Sequence, residues 1–152
     1  MTLKDRIAAE MVAAMKDRNK VRVAAIRLIR DGIQKTEIAE KTELDDPGVA
    51  RVLARLTRQR EESIRAFEAG RREDLAGREK EELAIVREFM PPAMGGEELS
   101  ALVAAAISEA AALAPADLGK VMKALKGRYE GRAGGKEVSE EAKRQLAKLS
   151  GS

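Results

Sequence analysis

The 152-residue chain contains neither cysteine nor histidine. Without cysteine it can form no disulfide framework, no thiol nucleophile and no cysteine-bound zinc site. Without histidine it lacks the usual general base at neutral pH and the commonest metal ligand in proteins. Catalysis by Ser/Lys pairing, by paired carboxylates or by magnesium held on acids remains open. We therefore expect a protein that is not an enzyme and that carries no metal or other cofactor.

The chain also has few aromatic residues and no long hydrophobic run. Phe67, Phe89 and Tyr129 are the complete aromatic set, 2% of the sequence, although hydrophobic residues make up 44%. A core of Leu, Ile, Val, Met and Ala favours packed helices, and no segment alternates as a strand would. We predict an all-α protein. Because the sequence has no secretory or membrane-spanning pattern, we also expect a cytoplasmic location and no membrane partner.

Apolar residues recur at helical spacing in seven stretches, which capping residues, glycines and prolines separate. The predicted helices run over approximately residues 2–18, 21–41, 45–69, 75–90, 97–113, 117–126 and 139–149, and residues 150–152 are expected to be disordered. The sequence PPAMGG at 91–96 combines two prolines with two glycines, which indicates a hinge. We therefore predict a four-helix N-terminal bundle over 1–94 and a smaller three-helix domain over 95–152.

Single positions in these helices carry more specific predictions. Thr2 and Asp5 have the spacing of a helix N-cap, and Gly70 suits the position after a helix end. Gly32 predicts a close helix crossing, because a glycine inside a helix otherwise only lowers its stability. The apolar face predicted for the second helix consists of Val21, Ala25, Leu28, Ile29, Gly32, Ile33 and Ile38.

The third helix has an arginine-rich outer face, with glutamates within one turn. Solvated ion pairs and an RNA-binding surface both explain this pattern, and the high acid content of the chain favours ion pairs. The arginines are Arg51, Arg55, Arg58, Arg60 and Arg65. The acidic clusters at 45–46 and 79–82 are better explained by capping and solvation than by magnesium binding. Neither Ser63 nor Ser139 lies in a nucleophile motif.

The stretch from Asp117 to Ser139 has the most distinctive pattern in the chain. It begins as a short amphipathic helix whose lysines fall opposite its apolar face. Four glycines then break the helical pattern, with cations between them, and Ser139 suits the N-cap of a new helix. Fixed cations and a closely approachable backbone suit a phosphate chain, although a solvated helix followed by a plain linker gives the same pattern. The cations are Lys120, Lys123, Lys126, Arg128, Arg132 and Lys136, and the glycines are Gly127, Gly131, Gly134 and Gly135.

Charge is unevenly distributed along the sequence. Residues 1–114 hold 20 Lys and Arg against 21 Asp and Glu, whereas residues 115–152 hold 9 against 5. The net charge of +3 therefore comes from the C-terminal quarter of the chain. This asymmetry points to a polyanionic partner.

The segment DLGKVMKALKGRYEGRAGGKEVS (117–139) resembles the C-terminal signature of the GatB/YqeY family, a G-K-V-M helix followed by a G-R-A-x-G-K loop. Two further segments match in order: VRVAAIRLIRDGIQKTEIAEK (21–41), and AGRREDLAGREKEEL followed by EFMPPAM (69–94). The resemblance covers nearly the whole chain and departs from the family pattern at Gly77, where a better helix former is usual. It implies a helical N-terminal part followed by a small three-helix tail domain.

In the related tRNA-dependent amidotransferase, a domain of this kind forms the tail of the B subunit and contacts tRNA. The resemblance thus implies an accessory role in the transamidation of misacylated tRNA, whereas carbon–nitrogen ligase activity with glutamine as amide donor describes the larger enzyme. The implied partners are tRNA or another structured RNA and an amidotransferase or aminoacyl-tRNA synthetase, with no DNA. The alternative is a protein-interaction module that docks a translation enzyme without touching RNA.

The same resemblance assigns the RNA contacts to one set of residues. The cations would meet phosphates, and the glycines would let the backbone come close. Tyr129 would stack on an exposed base, although a lone tyrosine beside a helix end equally suits a cap on the core. The set consists of Lys120, Lys123, Lys126, Arg128, Tyr129, Arg132, Gly134, Gly135 and Lys136.

Overall fold

The computed structural model describes residues 1–151, which form seven α-helices and one short 3₁₀ turn. The helices are α1 (Leu3–Lys16), α2 (Lys20–Glu40), α3 (Asp46–Ala69), α4 (Glu73–Glu88), α5 (Gly96–Glu109), α6 (Leu118–Leu125) and α7 (Gly135–Gly151). The 3₁₀ turn Pro115–Asp117 leads into α6. Since no strand occurs over residues 1–151, the all-α prediction is confirmed.

The chain divides into two compact units, one over Met1–Met90 and a second that starts at Pro91. Helices α1 to α4 make up the first unit, and α5 to α7 make up the second. Whether the two parts fold independently stays a prediction. The contacts place residues 91–94 in the second unit, whereas the predicted boundary follows Met94. The N–H of Met94 donates to the carbonyl oxygen of Arg132 at 2.7 Å, and the Met94 side chain lies in the second core.

In the first unit, α2 packs against α1, α3 and α4, and α4 packs against α3. The core is aliphatic apart from Phe89, which is 1% exposed. The guanidinium carbons of Arg6 on α1 and Arg22 on α2 lie 5.1 and 5.8 Å from the centre of its ring. Arg6 also donates to the Glu88 carbonyl at 2.8 Å, and Arg22 to the Glu88 carboxylate at 2.6 Å. These contacts fix the end of α4 to α1 and α2.

The crossing of α2 and α3 confirms the prediction made for Gly32. A Cβ on this residue would lie 3.1 Å from Val52 Cγ1 and 3.7 Å from Leu56 Cδ1. Both neighbours are core residues of α3. The absence of a side chain at Gly32 therefore sets the distance between the two helices.

The face predicted for α2 is wrong in part, because Val21, Leu28 and Ile38 are 42%, 38% and 69% exposed. A helix turns by about 100° per residue, so Ile38 lies about 180° around the axis from the buried Ile29. The apolar face predicted from the sequence is therefore wider than the face that α2 buries. The buried stripe consists of Ala25, Ile26, Ile29, Gly32 and Ile33.

The start of α1 has the predicted cap. Thr2 Oγ1 accepts from the N–H of Asp5, and the Asp5 carboxylate accepts from the N–H of Thr2, both at 3.1 Å. The prediction at the end of α3 is wrong, because Gly70 has a φ of −83° and Arg71 takes the left-handed φ of 58°. The N–H of Arg72 donates to the Phe67 carbonyl at 2.8 Å and closes a Schellman motif around Arg71. The glycine stands one position too early for that role.

In the second unit, α5, α6 and α7 pack against one another around an aliphatic core. Helix α7 begins at Gly135, so the predicted N-cap Ser139 lies inside the helix. Val138 is fully buried and forms one stripe with Ala142 and Leu146 at four-residue spacing. The buried face of α7 therefore begins one residue before the predicted start of the helix. At the other end, α7 continues through residues 150 and 151, against the predicted disorder, and residue 152 lies outside the described residues.

Candidate nucleic-acid interface

Helix α6 buries one face and exposes its lysines. Val121 and Leu125 are fully buried in the core of the second unit, whereas Lys120, Lys123 and Lys126 are exposed. The Nζ atom of Lys120 lies 3.8 Å from a carboxylate oxygen of Asp117. Across residues 1–151, no carboxylate oxygen lies within 4.0 Å of Lys123 or Lys126. The two side chains are therefore available to an external anion.

Asp117 stands at the N-cap position of α6 but makes no capping hydrogen bond with its side chain. Its carboxylate turns back and accepts from the N–H of Leu113 at 2.9 Å and of Ala114 at 3.3 Å. These hydrogen bonds hold the pKa of Asp117 below its ordinary value, with a smaller contribution from Lys120. Asp117 thus orders the connection from α5 to α6.

The two arginines of the α6–α7 loop (residues 126–134) are paired with carboxylates of α5. Arg128 donates from both terminal nitrogens to Glu109, at 3.1 and 2.7 Å. Arg132 donates to both oxygens of Glu98, at 2.5 and 2.8 Å, and its Nε donates to the Pro92 carbonyl at 3.0 Å. The hydrogen bonds from these arginines hold the pKa values of Glu98 and Glu109 below the ordinary glutamate value. Neither guanidinium is free in this arrangement to bind a phosphate in the bidentate manner.

The loop that contains these arginines is ordered by its own hydrogen bonds. Gly127 and Gly131 have φ values of 86° and 85°, a conformation that favours glycine. The Glu130 carboxylate accepts from the N–H of Gly127 at 3.1 Å and from that of Tyr129 at 3.3 Å. The positive φ values and the hydrogen bonds to Glu130 therefore close this segment into tight turns.

Tyr129 is half-buried and packs against the core of the second unit. Burial, with a smaller effect from the Glu130 charge, raises the pKa of its hydroxyl. The hydroxyl oxygen lies 3.8 Å from the position that a Cβ on Gly135 would take. Of the two roles considered for Tyr129, this placement favours the cap on the core.

Gly134, Gly135 and Lys136 lie at the start of α7. The carbonyl of Gly134 accepts from the N–H of Val138 at 3.0 Å, which makes Gly134 the residue before the first turn. Lys136 is exposed in that turn. Lys143, also exposed, lies seven residues further and so on the same side of the helix. Sequence reasoning missed Lys143, because the helix was predicted to start at Ser139 and did not include Lys136.

The charge asymmetry disappears when the two units are compared. Residues 1–90 carry 20 Lys and Arg against 18 Asp and Glu, and residues 91–152 carry 9 against 8. Glu98 and Glu109 fall in the second unit and account for part of the change. A basic surface on the second unit therefore depends on the positions of its exposed lysines and not on its net charge.

The arginines of α3 have mixed surroundings. Arg60 lies between α3 and α4, 3.6 Å from Glu79 and 3.3 Å from Glu82, and its side chain is 13% exposed. Arg51 lies 3.7 Å from Glu40 on α2. Arg58 and Arg65 are exposed. At Arg51 and Arg60, ion pairing is the better interpretation.

Residues 1–151 contain neither a candidate metal cluster nor a candidate membrane-spanning helix. No group of three or more acidic side chains is arranged to hold a metal ion in this part of the chain. Within the same residues, no helix is both long and apolar enough to cross a membrane. The predictions of a non-enzymatic protein and of a cytoplasmic location stay predictions.

Comparison with known proteins gives a family for the chain. The family model described as "Yqey-like protein" matches residues 4–146. Among curated proteins, "Altered inheritance of mitochondria protein 41, mitochondrial" of Candida glabrata is 28% identical over 94 residues. That match covers 59% of this chain and 52% of the relative, so the chain spans about half the length of the curated protein. Because the family model extends over nearly all of both units, the chain belongs to the YqeY-like family.

Proposed function

We propose that this protein binds the phosphate backbone of tRNA or another structured RNA through exposed lysines of its second unit. It would act as an accessory protein connected with the transamidation of misacylated tRNA. The observation that carries the proposal is the separation of the cations into two kinds. The arginines of the α6–α7 loop are paired with carboxylates of α5, whereas Lys123, Lys126 and Lys136 are exposed and have no carboxylate oxygen within 4.0 Å over residues 1–151. Lys120 is also exposed and lies 3.8 Å from a carboxylate oxygen of Asp117.

A group of exposed lysines is the feature that a phosphate chain would neutralise with release of counterions. Lysine acts as a point charge and lacks the planar guanidinium with which arginine can form two hydrogen bonds to one base edge or one phosphate. Contacts of this kind position a protein on RNA and carry little sequence information. The proposal therefore concerns backbone recognition and assigns no base-specific contact and no catalytic group.

A second candidate function is the docking of a translation enzyme by the first unit, and exposed apolar side chains on α1 favour it. Val12 and Met15 are 53% and 58% exposed. Met15 lines a groove between α1 and α2, together with Arg27 and Arg30. Protein interfaces are enriched in methionine and arginine, so this groove suits a protein better than RNA.

The experiment that tests the RNA function is the binding of labelled unfractionated tRNA by the full chain, followed by fluorescence anisotropy. The comparison variant carries Lys120→Ala, Lys123→Ala, Lys126→Ala and Lys136→Ala together. We expect this variant to keep its helix content and to lose tRNA binding. If the variant binds tRNA with wild-type affinity, these lysines do not form the RNA-binding surface. If the wild type does not bind tRNA, the proposed RNA-binding function is wrong.

A further inference from the structure

Gly119, in the first turn of α6, has no role in the fold of the second unit. Its φ lies outside the left-handed region, which Gly127 and Gly131 alone adopt among the described glycines. A Cβ built on Gly119 would meet no atom within 4 Å, and the residue is exposed. Neither backbone conformation nor packing requires glycine here, although glycine stabilises a helix less than alanine does.

Both exposed lysines of α6 lie close to this position in the sequence. Lys120 is the next residue, and Lys123 lies one turn further along the same side of the helix, about 6 Å along its axis. Because Gly119 and Lys123 lie on the same side of the helix, an extended ligand that contacts Lys123 can also reach the backbone at Gly119. The position leaves the helix backbone open at the place where the proposed phosphate contacts begin.

We propose that the RNA backbone lies directly against α6 at Gly119, so that the missing side chain allows phosphates to approach Lys120 and Lys123 closely. This inference rests on the RNA-binding function proposed above. The attraction between an ammonium group and a phosphate weakens as the distance grows and as water enters between them. A side chain at position 119 holds the RNA away from both lysines without changing the charge of the protein.

Gly77 on α4 provides a matched control. It is exposed, its φ also lies outside the left-handed region, and a Cβ on it would meet no atom within 4 Å. The charged residues next to Gly77 and one turn away from it are Glu73, Asp74, Arg78, Lys80 and Glu81, three acids and two bases. Because these charges do not attract a polyanion, a side chain at Gly77 tests the effect on the helix alone.

The experiment measures tRNA affinity and melting temperature for the full-length wild type and for the variants Gly119→Ala, Gly119→Leu and Gly77→Leu, at one fixed salt concentration. We expect Gly119→Leu to weaken tRNA binding about tenfold, as the loss of one good contact to a charged group would. Gly119→Ala should weaken it less. Both changes should leave the melting temperature equal to or above that of the wild type, and Gly77→Leu should raise it without changing the affinity.

A variant with Lys120→Ala and Lys123→Ala separates this inference from the function on which it rests. If the lysine variant binds tRNA weakly and Gly119→Leu binds it like the wild type, the RNA does not lie against Gly119 and the inference is wrong. If the lysine variant and Gly119→Leu both bind like the wild type, the proposed RNA surface itself is wrong. An equal loss of affinity in Gly119→Leu and Gly77→Leu would also overturn the inference.

Discussion

The two terminal nitrogens of Arg132 donate hydrogen bonds to the two carboxylate oxygens of Glu98, at 2.5 and 2.8 Å, and its Nε donates to the carbonyl oxygen of Pro92. Glu98 lies in the first turn of α5, and Pro92 lies in the segment before it. One side chain from the α6–α7 loop therefore fixes both the start of α5 and the chain that precedes it. We therefore expect Arg132 to stabilise the second unit, whereas the sequence analysis assigns it to a phosphate contact.

The change Arg132→Lys tests this role, because lysine keeps the charge and loses the planar fork that binds two oxygens at once. We expect the melting temperature to fall by several degrees, while the tRNA affinity of the folded protein changes little. Thermal melts followed by circular dichroism and tRNA titrations below the transition give the two quantities. A variant that melts like the wild type and binds tRNA poorly would instead make Arg132 an RNA contact.

The arginine–glutamate pairs also predict a dependence of stability on pH. The hydrogen bonds from Arg132 and Arg128 lower the pKa values of Glu98 and Glu109 in the folded protein, below the unfolded value of 4.5. Their stabilisation is therefore complete above pH 4.5 and is lost as the pH falls through the lowered pKa values. Melting temperatures from neutral pH to about pH 3 should fall more for the wild type than for Glu98→Gln with Glu109→Gln. Identical pH profiles would show that these pairs contribute nothing.

Replacement of glycine by alanine should have opposite effects on the free energy of unfolding at Gly32 and at Gly77. Gly77→Ala should raise the free energy of unfolding by about 0.5–1 kcal/mol, because its Cβ would lie in open space. Gly32→Ala would place a Cβ 3.1 Å from Val52 Cγ1 in a closely packed crossing. Overpacking of this kind typically costs ~1–3 kcal/mol, which exceeds the gain in helix propensity. Urea titrations of both variants measure the difference, and stabilisation by Gly32→Ala would show that α2 and α3 separate easily.

Local patterns in the sequence predicted much of the fold and little of the candidate site. The capping pair Thr2 and Asp5 lies within one turn, and Gly32 lies within a clear helical pattern, so both were predictable. The partners of Arg128 and Arg132 are carboxylates 19 and 34 residues away, and no local rule relates them. The start of α7 was misplaced for a similar reason, since the burial of Val138 depends on α5 and α6. Sequence alone therefore could not separate structural cations from free ones.

Fragments of the chain test the division into units. Residues 1–90 should be helical and should unfold cooperatively, because four amphipathic helices can close a core. A fragment of residues 91–152 should be more stable than one of 95–152, which loses the buried Met94 side chain and the hydrogen bond from Met94 to Arg132. Circular dichroism during thermal unfolding measures all three. An unstructured 1–90 fragment, or equal stability of the two C-terminal fragments, would contradict the boundary at Pro91.

The most direct test of the RNA-binding surface is the salt dependence of tRNA affinity. If Lys120, Lys123, Lys126 and Lys136 each neutralise one phosphate, the slope of log affinity against log salt should be about −3, at ~−0.7 per contact. Raising the salt from ~50 to ~200 mM should then weaken binding about fifty-fold.

Two double variants decide where the RNA surface lies, and each of them removes two cations from one of the two units. Lys120→Ala with Lys123→Ala should flatten the slope by about 1.4, with almost no change in melting temperature, because exposed helix lysines contribute little to folding. Arg58→Ala with Arg65→Ala on α3 removes the same charge and should leave the slope unchanged. If the arginine variant flattens the slope and the lysine variant does not, RNA binds the first unit and the surface proposed on α6 is wrong.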